Sequence, residues 1–165
     1  RGIRDGVFGG RSSRRDAAGC WKSVETTKPA ASSASAPSAR SWVGVGEWTG
    51  VSLKRLRRKP EWQLVQRHPS GFRFPGGESF VEMQARLTAA LARLVERHPG
   101  ETLVAVSHAD PIKAVIAHAL GLHLDLFQRI AVAPGSVTAI AYRSEAPLVL
   151  TVNSLDGNLT WLQPR

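Results

Sequence analysis

Leucine is distributed so unevenly that only part of this chain can build a core. None occurs before Leu53, and all sixteen lie between Leu53 and Leu162. Residues 29–39 contain only Pro, Ala and Ser. Residues 1–40 show neither the two-residue period of a strand nor the 3.6-residue period of a helix. Such sequence cannot bury enough apolar area to offset the entropy of ordering it. Residues 1–41 are therefore expected to be disordered or foreign to the fold. Residues 42–165 are expected to form one domain, with the boundary near 42–46.

Charge follows the same division. The formal net charge is +9, yet residues 1–70 hold 14 Lys/Arg against 5 Asp/Glu, and residues 71–165 hold 8 against 8. Lys54, Arg55, Arg57, Arg58 and Lys59 form a dense cluster. A cluster of this kind can meet nucleic-acid phosphates. No zinc-ligand set, RNA-binding aromatic pair or recognition helix accompanies it. It reads as a solvated helix face bordering an anionic substrate, and nucleic acid is not the expected partner. The single cysteine, Cys20, excludes an internal disulfide and fits a reducing, cytoplasmic setting. No apolar run approaches the roughly 18–20 residues needed to cross a bilayer, so no membrane partner is expected. The chain starts at Arg1 rather than Met, and is expected to be a fragment or an incomplete gene product.

From Gly46 onward the pattern is orderly. Ser52 can cap a short helix over 53–58, and Pro60 can open another through about Gln66. Residues 68–77 hold two prolines and three glycines and read as a loop. Ser79 and Glu82 form a capping box, after which Phe80, Met83, Leu87, Leu91, Leu94 and Val95 keep helical spacing until His98-Pro99-Gly100. A β-prone run over 102–107 follows. A helix over 111–120, with Gly121 at its C-terminal cap, comes next. Residues 124–130 read as a helical turn, 136–142 and 148–153 as strands, and 159–162 as a last strand. Helices alternating with strands and a β-rich tail imply an α/β layered domain.

The stretch Leu103-Val104-Ala105-Val106-Ser107-His108-Ala109-Asp110-Pro111 is where chemistry is expected. An apolar run is expected to form a central parallel strand, with the helix over 79–97 as its packed crossover. Asp110 suits the N-cap and Pro111 the first helical position. His108 then sits where a strand end meets a helix N-terminus, a place that favours anions. His118 and His123 are expected to be structural. No cluster of His, Asp and Glu at metal spacing occurs, so no metal site is expected. Glu78 has a bland role available, as favourable charge at a helix start.

Five segments in order carry a resemblance. These are Gly46-Glu47-Trp48-Thr49-Gly50, Phe74-Pro75-Gly76-Gly77-Glu78-Ser79 and Val106-Ser107-His108-Ala109-Asp110. Leu124-Asp125-Leu126-Phe127-Gln128-Arg129 and Pro134-Gly135-Ser136-Val137 complete the set. Together, over about 44–162, they resemble the histidine phosphatase superfamily, in particular its phosphoglycerate mutase-like phosphatases and phosphomutases. The resemblance implies a three-layer α/β/α fold and metal-free phosphoryl transfer without a cofactor, on a small phosphorylated substrate. In that family a histidine of an Arg-His-Gly motif at the end of the first strand becomes phosphohistidine. The histidine of the later Ser-His motif, here His108, donates to the phosphoryl oxygens. The chemistry is sound, because neutral imidazole is a competent nucleophile near neutral pH and fixed donors offset the developing charge. The resemblance also places Glu78 near the pocket entrance, on the substrate side.

The chain departs from the family at its N-terminal side. It contains no Arg-His-Gly, and its only Arg-His pairs, Arg67-His68 and Arg97-His98, fall at predicted helix ends. The family's acid, four positions before the glycine of Gly-Glu-Trp, is replaced by Trp42; Glu47 belongs to a different motif position. Ser12-Ser13-Arg14-Arg15 echoes the family's Ser-Ser-Pro segment, which makes Arg14 and Arg15 the candidates for its second phosphate-binding arginine. The fold is thus expected to be incomplete at its N-terminus. Out-of-frame translation of a GC-rich message over 1–43 accounts for this better than a pseudo-enzyme with a new basic leader.

Three functions follow for comparison. The first is a phosphomonoester phosphatase or phosphomutase by descent, inactive as written. The second is a non-catalytic protein that binds phosphate or a phosphorylated small molecule at His108. The third is a basic nucleic-acid binder. Self-association is also expected, since an apolar strand without its neighbour leaves an edge that pairs with other chains.

Overall fold

The computed structural model describes residues 43–156. Four helices, α1 (Leu53–Leu56), α2 (Glu61–Arg67), α3 (Phe80–Arg97) and α4 (Ala109–Ala119), precede two strands, β1 (Val137–Tyr142) and β2 (Pro147–Ser154). Short 3-10 turns cover Gly46–Trp48, Pro69–Gly71 and Leu124–Arg129. The expected strand at 159–162 lies outside the described residues.

The core gathers around aromatic rings supplied by loops as much as by helices. Trp48 lies 5.5 Å from Phe72 and 5.4 Å from Phe74, while Phe80 lies 5.2 Å from both Phe74 and Phe127, ring centre to ring centre. Tilted and edge-on contacts at such spacings are the favoured aromatic arrangements. Phe80, Met83 and Phe127 are fully buried, and Ala114 and Ala117 of α4 complete the cluster. The small residues on α4 let α3 approach it closely.

Two glycine-rich segments are joined backbone to backbone. Glu47 N–H donates to Pro75 O at 2.8 Å, and Glu78 N–H donates to Gly44 O at 2.9 Å. Gly46 has φ of +53°, and a Cβ there would stand 2.1 Å from Pro75 O; one on Gly77 would stand 2.2 Å from Gly44 O. Only glycine permits this approach.

Helix ends follow their sequence signals in most places. Ser79 Oγ accepts from Glu82 N–H at 3.1 Å and Glu82 Oε2 accepts from Ser79 N–H at 2.9 Å, closing the capping box of α3. At the end of α4, Leu122 N–H donates to Ala117 O and Gly121 N–H to His118 O, the two bonds of a Schellman motif. The N-terminus of α4 differs from expectation. His108 is the N-cap and Asp110 already lies inside the helix. Pro111 tolerates this register, because the first four N–H groups of a helix lack intrahelical acceptors and a missing one costs nothing.

The larger correction concerns 102–107. This run forms no strand: it makes no ladder with any described residue, and Leu103, Val104 and Val106 are 41, 83 and 66 % exposed. A strand exists only through a partner's hydrogen bonds. The two described strands use each other, β1 pairing antiparallel with β2 from Val137↔Ser154 to Tyr142↔Pro147. The crossover role of α3 changes accordingly. Its first turn is buried through Phe80 and Met83, whereas Leu87, Leu91, Leu94 and Val95 are only half-buried.

Candidate functional site

The site is built at the start of α4. His108 has extended backbone (φ −100°, ψ 168°) and its side chain is not spent on capping the helix. Its carbonyl accepts from Ile112 N–H at 3.1 Å. Pro111 has no N–H, so Ala109 and Asp110 carry the amides without intrahelical acceptors. Those two amides and the half-buried His108 imidazole occupy the positive end of an 11-residue helix. This is the combination of donors and dipole that attracts an anion.

One turn into the helix, Lys113 joins two elements. Its largely buried ammonium lies 3.6 Å from Asp110 Oδ1 and donates to Gln128 Oε1 at 3.2 Å. Burial pushes the Asp110 carboxyl above its ordinary value, and Lys113 offsets only part of that. Asp110 and Gln128 also line a cavity of about 280 Å³ whose other walls include Trp48, Leu56, Trp62 and Phe74. Sequence reading missed this group. The three-residue spacing of Asp110 and Lys113 on one helix face was the available signal.

The other candidates separate. The Glu78 carboxylate braces two loops: Oε1 accepts from Gly44 N–H at 2.7 Å and from Arg86 Nη2 at 2.7 Å, and Oε2 accepts from Arg86 Nε at 3.2 Å. Arg14 and Arg15 lie outside the described residues. His68 and His98 are the C-caps of α2 and α3. Asp125 ties two turns together, accepting from Ser70 N–H at 2.8 Å and lying 3.5 and 3.4 Å from the His68 and His123 imidazoles. Burial alone pushes the Asp125 carboxyl up, but the Ser70 bonds and the two histidines more than reverse it, leaving it below its ordinary value. Lys54, Arg55, Arg57, Arg58 and Lys59 are all exposed, on α1 and the turn that follows it. Among the described residues, no three His, Cys, Asp or Glu side chains are grouped to hold a metal ion, and no helix is long and apolar enough to cross a membrane.

Comparison with known proteins places this geometry. The chain is 28 % identical over 110 residues to phosphoserine phosphatase 1 of Hydrogenobacter thermophilus, covering 66 % of this chain and 52 % of that protein. Among solved structures it matches Bacillus stearothermophilus YhfR at 24 % identity and a TM-score of 0.64, over 68 % of this chain and 57 % of that one. It also matches phosphoserine phosphatase of Entamoeba histolytica, in complex with 3-phosphoglyceric acid, at 20 % identity and a TM-score of 0.61, over 69 and 58 % of the two chains. The chain thus spans little more than half the length of these proteins, and shares with them the α/β, phosphoglycerate mutase-like fold over that part. The family model for the histidine phosphatase superfamily, branch 1, matches residues 43–155. By its aromatic and glycine-paired frame, its Ser-His helix start and this match, the chain belongs to the histidine phosphatase superfamily.

Proposed function

We propose that this chain carries the Ser-His side of a phosphomonoester phosphatase site and holds the phosphoryl group of a small phosphorylated substrate, or inorganic phosphate, at His108. The observation that carries the reading is the α4 start, where an imidazole not used for capping adjoins the Ala109 and Asp110 amides. An imidazole N–H and two backbone amides supply three donors to phosphoryl oxygens, and the helix dipole adds to their attraction. The phosphatases among the relatives support the same class of ligand.

The chain by itself transfers no phosphoryl group in this reading. It holds no Arg-His-Gly nucleophile, and loss of a nucleophile from residues that act as a unit costs on the order of 10⁶-fold. His108 then binds and stabilises rather than attacks. Titration with inorganic phosphate tests the site. His108→Ala should weaken binding by about tenfold or more, since a charge-assisted hydrogen bond contributes roughly 1.5–3 kcal/mol. Equal affinity in the two proteins would overturn the assignment. Incubation with p-nitrophenyl phosphate should leave no acid-labile phosphoenzyme, and a clear phosphohistidine would overturn the claim of inactivity.

A further inference from the structure

The anion site at the start of α4 carries a negative charge of its own. Asp110 lends its backbone amide to that site. Its side chain is so short that the carboxylate stays within about 5 Å of the same nitrogen in any rotamer. A carboxylate that close to a bound phosphoryl group repels it. The two also compete for one field, since the positive helix end that attracts an anion stabilises an acidic residue of the first turn as well.

Lys113 answers this charge from one turn further along the helix. Its ammonium lies 3.6 Å from Asp110 Oδ1 and donates to Gln128 Oε1 at 3.2 Å. The Lys113 side chain is only 15 % exposed, so it is held beside Asp110 rather than swinging in water. Gln128, on the Leu124–Arg129 turn, steadies the ammonium without adding charge. The other elements around Asp110 contribute Leu53, Leu56, Trp62, Gln66 and Phe74 to the cavity it lines, none of them ionisable. Lys113 is the charged group that acts on the Asp110 carboxyl, and His108 is the other titratable group at the helix start. Resting on the phosphate-site reading above, we propose that Lys113 is a positioning residue of that site, which holds the Asp110 carboxylate and cancels its charge so that His108 and the two amides can take a dianionic phosphoryl group. It acts through Asp110 rather than on the reacting atoms.

Calorimetric titration of the full chain with inorganic sulfate reads this, because sulfate, unlike phosphate, keeps its charge from mildly acid to neutral pH. At about pH 8, Lys113→Gln should bind sulfate about five- to tenfold more weakly than wild type, the size expected of one charge left a few ångströms from a partly solvated site. Lys113→Arg should bind as wild type does. Asp110→Asn should restore most of the loss in the Lys113→Gln background, and alone should tighten binding about threefold. Burial already holds the Asp110 carboxyl above its ordinary value, and loss of Lys113 raises it further. The Lys113→Gln deficit should therefore shrink as pH falls to about 5, and the ratio to wild type at each pH cancels the titration of His108. A merely structural pair would give no rescue by Asp110→Asn and a ratio independent of pH, and either result would overturn the proposal. So would a Lys113→Arg variant as weak as Lys113→Gln. Should Lys113→Gln fail to fold, Asp110→Asn alone decides: tighter binding supports the proposal, and unchanged or weaker binding overturns it. Sulfate affinity indifferent to His108→Ala fails the phosphate-site reading and this proposal with it. Affinity that needs His108 but ignores both Asp110→Asn and Lys113→Gln overturns this proposal alone.

Discussion

Two apolar regions of this molecule have met different fates. The rings of Trp48, Phe72, Phe74, Phe80 and Phe127 pack into one core, while the equally apolar run over 102–107 lies on the surface with Val104 83 % exposed. Hydrophobicity does not separate them; the reach of the interactions they need does. The first region is assembled by a capping box, paired glycine loops and a carboxylate that gathers turns, each made within a short stretch or between two loops. The second needs a neighbouring strand to satisfy its N–H and C=O groups, and no described residue offers one. Burying an unpaired backbone group costs about 1–3 kcal/mol, comparable with the gain from burying a valine side chain, about 1.5–3 kcal/mol. The run therefore stays in water.

The contrast breaks most visibly under truncation of side chains in the two regions. Phe80→Ala should lower unfolding free energy by about 3–5 kcal/mol, because the ring is fully buried and touches Phe74 and Phe127. Val104→Ser should change it by no more than about 0.5 kcal/mol. Urea unfolding of both variants measures the difference. A large loss from Val104→Ser would show that the run is covered in solution.

The same distinction sorts what was legible in the sequence. Ser79 with Glu82 announced the start of α3, and Gly121 the end of α4, because capping bonds join residues only a few positions apart. The pairing of Gly46 with the Pro75-Gly76-Gly77 loop was legible as motifs but not as a contact. The reason for its glycines emerges only from two backbones distant in sequence meeting closely, Gly46 on Pro75 and Gly77 on Gly44. Side-chain preference suggests Asp110 as the N-cap, yet His108 takes that place and Asp110 lies inside the helix. Asp110 and Gln128 also line the cavity, which residue preference alone does not locate. The run over 102–107 has the composition of a buried strand, and composition carries no information about whether its partner is present.

A second test acts on the turns that close the aromatic core. Asp125→Ala should cost about 1.5–3 kcal/mol by leaving Ser70 N–H without its charged acceptor. The pH dependence has a definite sign. The folded carboxyl titrates below its ordinary 3.8, so its contribution is complete above that value and is lost as pH falls through the folded one. The melting temperature should fall with acidification below about pH 4, and Asp125→Asn should remove part of that fall. A variant with an unaltered acid limb would show that Asp125 does not hold these turns together.

A smaller effect is expected where the cap of α3 is exposed. Ser79→Ala removes one side-chain acceptor and should cost about 1 kcal/mol, read by chemical denaturation. The partner Glu82, held by Arg73 and the Ser79 N–H, has its carboxyl lowered to about 2. Its contribution is present above its ordinary value of 4.5 and is lost as pH falls toward 2. The Ser79 Oγ bond to the Glu82 N–H involves no titrating group, so the cost of Ser79→Ala should persist at the acid end, whereas Glu82→Gln and wild type should converge there. A Glu82→Gln cost that persists unchanged at about pH 2 would show that the ionised carboxylate does not hold this cap.

The least costly substitutions in stability give the sharpest view of the exposed run. Val104→Lys with Val106→Lys places two charges on side chains that are 83 and 66 % exposed, so the unfolding free energy should move by no more than about 0.5 kcal/mol. Association should change far more. An apolar segment that pairs with no described strand is a template for a second copy, and lysine is the residue that most often blunts such an edge. The outward Leu148, Leu150 and Val152 of β2 add a further apolar surface that the lysines leave intact. Sedimentation velocity over a concentration series should show the wild-type chain associating and the double variant shifting toward monomer. If both associate equally, β2 rather than the 102–107 run joins the copies. If the wild type stays monomeric throughout, the run is covered by residues of its own chain.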